Sequence, residues 1–167
     1  MFEGVEGCGK SFQSKKLFKN LQKHKFQTLL TREPGGTKSA ELIRNLILHD
    51  YFKKSKKNKF DKYTDTLLYL AARNEHVKTK IKPALQKKKI VICDRFIDST
   101  IAYQVYGKKI SKLFIDNIHS VILGGLKPNL TFVLKVSSKS SKKRLLKRKT
   151  KNRYCLLYTS PSPRDRI

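Results

Sequence analysis

The chain has 167 residues with 38% hydrophobic and 10% aromatic content, which is enough for one domain with a packed core and excludes a disordered tail. Lys and Arg number 39 against 12 Asp and Glu, a net charge of +27, so the charge favours anionic partners such as nucleotides, nucleic acid or acidic membranes without choosing among them. No secretory leader and no apolar run of bilayer-spanning length is present. The three cysteines, Cys8, Cys93 and Cys155, show no paired spacing, so the expectation is a reducing, cytoplasmic setting with no disulfide framework or zinc site.

In chain order, "FEGVEGCGKS" (2–11) reads as a glycine-rich turn after a strand remnant. Phe12, Leu17, Leu21 and Phe26 then recur at roughly helical intervals, and "QTLLTR" (27–32) reads as a buried strand. "EPGGT" (33–37) has loop chemistry. Residues 38–50 resume a helical pattern with Leu42, Leu46 and Ile47 inward, and the Lys-rich stretch 51–62 is expected as an exposed connection. A long helix is expected from Thr64 to about Gln86, with Leu67, Leu70, Val77 and Ile81 on one stripe and Tyr69, Arg73 and His76 on another face. The β-branched run "KIVICDR" (89–95) reads as a central parallel strand. Helices near 97–106 and 111–123, a buried strand over 129–136 and a basic helix from about 138 complete the pattern. Strands alternating with helices predict an α/β fold, a parallel sheet flanked by helices, with ligands gathering beyond the carboxyl ends of the strands.

The ends break this pattern. Only Met1 and Phe2 precede the first turn, where a strand of about 5 residues is usual. From Cys155 the lysines vanish and Ser and Pro appear, so residues 155–167 are expected to be a foreign or frameshifted, extended tail after a domain spanning 1–154. An incomplete sheet and lid would leave such a chain poorly active.

Gly4, Gly9, Lys10 and Ser11 match G-x-x-x-x-G-K-[ST]. In that motif, glycines let backbone N–H groups cradle phosphate, the lysine reaches the outer phosphates and the hydroxyl holds Mg2+. Gly4, Val5, Glu6, Gly7, Cys8, Gly9, Lys10 and Ser11 are therefore the expected nucleotide-phosphate segment, which the resemblance given below assigns to ATP binding. An ordinary glycine-rich turn is the bland alternative; the helix that follows argues against it. Asp94 ends a strand and suits the organisation of metal-bound water, while Arg95 beside it offers a fork for a second phosphate. Ser99 and Tyr103 share a helical face, as do Tyr69 and Arg73, an aromatic surface for a base and a cation for its carbonyl.

Together, "FEGVEGCGKS", "TREPGGT", "LLYLAARNEHV", "ICDRFIDSTIAYQ" and "KPNLTFVLKV" resemble the bacterial thymidylate kinases in order and spacing, from Phe2 to about Tyr154. The resemblance implies a nucleoside monophosphate kinase architecture. It further implies transfer of the γ-phosphoryl group of ATP to thymidine monophosphate, with Mg2+, toward dTTP synthesis. It assigns Lys10 and Ser11 to ATP and metal, with Asp94 acting on the metal through water. Arg95 and Arg44 would grip the monophosphate, Tyr69 would stack on the base and Arg73 would reach the thymine carbonyl. Ser99 and Thr100 would lie at the base edge, Gln104 within the same acceptor site, and Tyr103 would crowd the sugar 2′ position. Glu6 would face the acceptor near its 3′-hydroxyl; Glu3 would organise the loop or water, or be a satisfied structural carboxylate. Lid cations, here Arg148 and Arg153, would offset the charge on Glu6 and on the transferring group. The family's members are commonly homodimers, and neither a membrane nor a specific nucleic acid is expected as partner. Another nucleoside monophosphate or deoxynucleoside kinase and a nucleic-acid-stimulated P-loop ATPase remain as alternatives.

Overall fold

The structure, a computed structural model, describes residues 1–50 and 60–147, with the side chains of residues 49 and 50 left aside. Four parallel strands form its sheet: β1 (Phe2–Gly4), β2 (Thr28–Arg32), β3 (Ile90–Asp94) and β4 (Phe132–Leu134), in the order β2-β3-β1-β4. β2 and β3 pair from Thr28↔Ile90 to Arg32↔Asp94, and β1 pairs with β4 from Phe2↔Phe132 to Gly4↔Leu134. Short as it is, β1 is central. The Phe2 and Phe132 rings stack at 5.0 Å across the β1–β4 pair, and Phe2 itself is buried.

Helix α1 (Lys10–Lys23) follows β1 and its loop, and α2 (Lys38–Asn45) follows β2, capped by the Thr37 side chain accepting from the Ala40 N–H. Widened π-type turns continue the helices at Leu46–Asp50, Val77–Ile81 and Ile101–Gly107. Helix α3 (Lys62–His76) therefore runs without interruption into α4 (Lys82–Gln86), as the expected long helix does. Helices α5 (Ile97–Thr100), α6 (Lys112–Leu123) and α7 (Ser138–Leu146) complete the flanks. One apolar cluster joins Val77, Ile81, Phe96 and Leu123; another joins Leu70, Ile110 and Ile115.

Several inward assignments are corrected. On α2 Ala40 is inward, as is Ile47 in the π-type turn that continues it, and Leu42, about 200° round the helix from Ala40, is 72% exposed. Leu46 is exposed as well. On α3 the buried row runs Thr66, Leu70, Arg73 and Val77, so Leu67 lies outside it; Arg73 and His76, expected on a separate face, are buried too. Phe12 is exposed because α1 turns Lys10 and Ser14 inward, and Phe26, in the connection beyond α1, is exposed as well. The expected buried strand near 129–136 is the edge strand β4, with Val133 60% exposed, since only β1 flanks it among the described residues. Most of the 51–62 connection and the 155–167 tail lie outside the described residues.

Candidate active site

The sheet's carboxyl ends bring the loop 5–9 and the residue pair after β3 together. Gly4 allows this closeness: its backbone φ is 139°, and a Cβ there would lie 2.5 Å from the Leu134 carbonyl oxygen of β4. The loop ends at Gly9, φ 105°, which opens α1. Lys10 curls back into the loop, donating from Nζ to the carbonyl oxygens of Gly4 (3.0 Å) and Val5 (2.8 Å), with Cys8 Sγ at 3.7 Å. Burial, and then the nearby Arg95, lower its pKa. Ser11 Oγ donates to Asp94 Oδ2 at 2.5 Å.

Arg95 sits in a left-handed backbone conformation, φ 73°, with its N–H bonded to the Phe2 carbonyl. This places the guanidinium over the loop. It donates to Glu6 Oε1 (2.7 Å), Ser99 Oγ (2.9 Å) and the Gly4 carbonyl (3.2 Å), and lies 5.4 Å from the Tyr103 ring centre. Burial would lower the Arg95 pKa, but Glu6, Tyr103 and Glu3 outweigh it and raise it. Glu3 is a satisfied structural carboxylate. Its oxygens accept from the Phe96 N–H (2.7 Å), the Ser99 N–H (3.3 Å) and Ser99 Oγ (2.7 Å), satisfying N–H groups where α5 begins.

The far wall comes from α2 and α3. Arg44 donates to the Pro34 carbonyl at 2.6 Å, and burial followed by neighbouring Arg32 lowers its pKa. Tyr69 and Tyr103 pack on Ile47 and Leu48. Arg73 directs Nε to Glu33 Oε2 (2.7 Å), Nη1 to Thr100 Oγ1 (2.8 Å) and to His119 Nε2 (2.8 Å), and Nη2 to the Phe96 carbonyl (2.8 Å) and Glu33 Oε2 (2.6 Å). Glu33 Oε1 also meets His76 Nδ1 (3.1 Å), whose Nε2 meets Thr31 Oγ1 (2.6 Å). Gln104, 2% exposed, has an Nε2 without a hydrogen-bond partner and borders the same space.

All these side chains, apart from Glu3, Cys8, Thr31, Ile47, His76 and His119, border one crevice of about 350 Å³, large enough for a small organic ligand. It has two chemically distinct ends. Lys10, Ser11 and Asp94 form an anion- and metal-suited end; Tyr69, Arg73, Tyr103 and Gln104 form an end for a planar, hydrogen-bonding ring.

The comparisons with known proteins agree with this arrangement. The family model for thymidylate kinase matches residues 2–157. The chain belongs to the thymidylate kinase family. It is similar to a thymidylate kinase of Aster yellows witches'-broom phytoplasma, 49% identical over 138 residues that cover 83% of this chain and 63% of the relative. One from Dehalococcoides mccartyi is 45% identical over 140 residues, 84% of this chain and 65% of the relative. The chain thus spans less than two thirds of the length of these curated relatives. The crystal structure of thymidylate kinase from Ehrlichia chaffeensis superposes with a TM-score of 0.72 at 42% identity, covering 86% of this chain and 74% of that one. The nucleoside monophosphate kinase fold is thereby shown.

Within the thymidylate kinase family frame, the sequence reading brought Lys10, Ser11, Asp94, Arg95, Arg44, Tyr69, Arg73, Ser99, Thr100, Tyr103 and Gln104 to one crevice, where the structure has them. Arg148 and Arg153 lie outside the described residues. Four participants were missed. Glu33 and His119 hold Arg73, and on α7 Ser141 Oγ donates to the Glu6 carbonyl (2.5 Å) while Arg144 Nη1 donates to that of Gly7 (3.2 Å). Glu33 stood inside the quoted "TREPGGT" stretch; its acidity beside a loop was the available signal. His119, Ser141 and Arg144 carried none.

Proposed function

We propose that the protein transfers the γ-phosphoryl group of ATP to thymidine monophosphate, giving thymidine diphosphate. The single observation behind this reading is the two-ended crevice: a phosphate loop with Lys10 at one end, a ring-sized polar pocket at the other, and Arg95 between them. Backbone N–H groups of the loop and Lys10 take the ATP phosphates. Arg95 and Arg44 take the monophosphate, Tyr69 stacks on the base, and Tyr103 stands at the sugar. Gln104 is the strongest candidate for reading the base edge, because a buried amide N–H pair without a partner is costly unless a ligand oxygen meets it.

Among the described residues no three His, Cys, Asp or Glu side chains cluster to hold a metal alone. The Ser11 hydroxyl and Asp94 carboxylate nonetheless form an all-oxygen pair at hydrogen-bond distance, which suits Mg2+ held by few protein ligands and completed by water and phosphate. Ser11 would ligate it directly and Asp94 through water. Bound there, the ion would supply charge neutralisation on the phosphates. The protein's own part is positioning: Lys10 and Arg95 set two phosphate groups against each other across the loop.

The helices of the described residues include none long and apolar enough to cross a membrane. Buried free Cys8 and Cys93 fit a reducing cytoplasm, which we take as the setting. Exposed Leu42 and Leu67, on the mutually packed α2 and α3, support a homodimer through these helices.

The deciding experiment is a coupled assay with ATP, Mg2+ and, in parallel, thymidine monophosphate, thymidine and guanosine monophosphate. Turnover confined to thymidine monophosphate supports the reading. Turnover of another acceptor, or ATP hydrolysis that only DNA stimulates, overturns it.

A further inference from the structure

We infer that His119 is a positioning residue that pins the Arg73 guanidinium and thereby sets which of its N–H groups faces the crevice. Arg73 carries five N–H donors and no acceptor, so His119 Nε2, 2.8 Å from Nη1, must present a lone pair; the imidazole is neutral with its proton on Nδ1. His119 is 7% exposed, belongs to α6, and does not border the crevice that Arg73, Thr100, Glu33 and Phe96 border. It therefore grips the guanidinium from behind.

The division of Nη1 gives this contact its consequence. One Nη1 donor goes to His119, and the other goes to the Thr100 hydroxyl on the crevice wall. Nε and Nη2 are committed to Glu33 and to the Phe96 carbonyl. A carboxylate and a backbone carbonyl have no proton to reorient, whereas a hydroxyl rotates and can hand its donor to a ligand oxygen. The Nη1–Thr100 contact is thus the one bond of Arg73 that a ring carbonyl can enter without leaving a buried charge unpaired. Glu33 and the Phe96 carbonyl hold the Nε and Nη2 side of the guanidinium, and His119 holds the Nη1 amine against rotation about its C–N bond.

The charged groups acting on the imidazole are Arg73 of α3, Glu33 of the loop after β2, and Asp116 of α6 itself. Burial and then Arg73 lower its pKa to about 4, with Glu33 and Asp116 opposing, so the lone pair persists at neutral pH. The kinetic half of the inference rests on the proposal that this end of the crevice takes the acceptor base; the structural half does not.

The test compares the unaltered protein with His119→Gln, which keeps an acceptor, and His119→Leu, which does not. In 15N-labelled protein without nucleotide, His119 should show the Nδ1–H tautomer. The Arg73 Nη resonances should be resolved in the unaltered protein and in H119Q, and averaged by free rotation in H119L. An Nε2–H tautomer, or Arg73 resonances unchanged in H119L, would overturn the positioning role. In turnover, H119L should raise KM for thymidine monophosphate about tenfold or more, with kcat and KM for ATP nearly unchanged, and H119Q should restore it. Equal KM in H119L and H119Q would likewise overturn it. If H119L fails to fold, the tautomer and the H119Q resonances still decide. If the unaltered protein turns over no thymidine monophosphate, the proposed function fails while the NMR outcome stands separately.

Discussion

Glu6 Oε1 and Arg95 Nη2 are 2.7 Å apart, an ion pair that ties the middle of the phosphate loop to the residue after β3. An acidic side chain inside an anion-binding loop is thereby given its counter-charge by the residue that follows a core strand. The carbonyl of Glu6 is held separately, by Ser141 of α7.

Arg95→Ala removes this counter-charge together with the proposed monophosphate contact. We expect kcat/KM for thymidine monophosphate to fall by the equivalent of about 2–5 kcal/mol, as for truncation of a buried charge-assisted pair. KM for ATP should change far less. Steady-state kinetics with each substrate varied in turn checks this, and an equal loss for ATP would place Arg95 on the donor.

Gly4→Ala should destabilise the fold by about 1–3 kcal/mol, the usual cost of forcing extra bulk into a packed site. The added Cβ would lie 2.5 Å from a backbone oxygen of β4 and 2.9 Å from Cys8 Sγ, and the φ of 139° is unfavourable for any side chain. Urea denaturation gives the difference. An unchanged midpoint would mean that β4 moves aside freely.

Acid should weaken the fold in two stages. His119 is neutral in the folded chain down to about pH 4 but takes a proton near the ordinary imidazole value of 6.5 when unfolded, so stability is lost as pH falls between these values. The slope there is about 1.4 kcal/mol per pH unit for one proton. Burial alone would raise the Glu33 carboxyl, but Arg73 and His76 outweigh it and hold it below the ordinary glutamate value of 4.5. Its contribution is therefore present above that value and lost as pH falls through the folded pKa. Urea midpoints at several pH values should show the upper stage flattened in H119Q. Glu33→Gln should remove the lower stage and cost about 3–5 kcal/mol at neutral pH, because Arg73 loses its buried partner.

Tyr103 offers a steric prediction. Replacing it with Ser should improve use of uridine monophosphate relative to deoxyuridine monophosphate if, as proposed, the ring that stacks under Arg95 stands at the sugar. Competition assays with the two nucleotides read the ratio, and an unchanged ratio removes Tyr103 from sugar selection.

The strand–loop–helix opening and the Asp94–Arg95 pair at the end of β3 were legible because short, local patterns dictate them: glycine spacing, a β-branched run and a charge where the run stops. The faces of α2 and β4 were read less well. Leu42 and Val133 are apolar and periodic, yet their exposure depends on what packs beside them, which periodicity does not encode. The Arg73 network was illegible for a related reason. Its partners Glu33 and His119 stand 40 and 46 residues away in the chain, and only the packing of helices beside the sheet brings them to one guanidinium.

The left-handed backbone of Arg95 has a consequence for how this chain tolerates change. A side chain other than glycine, asparagine or aspartate costs about 1–2 kcal/mol in that conformation, and here the strain is what swings the guanidinium over the loop. Glycine at position 95 would relieve that strain but strip buried Glu6 of its ion-pair partner, a loss of about 3–5 kcal/mol, so the pair outweighs the strain it rides on. A library screened only for folding should therefore still keep arginine there, strained backbone and all, so that residue would survive even where catalysis is never selected.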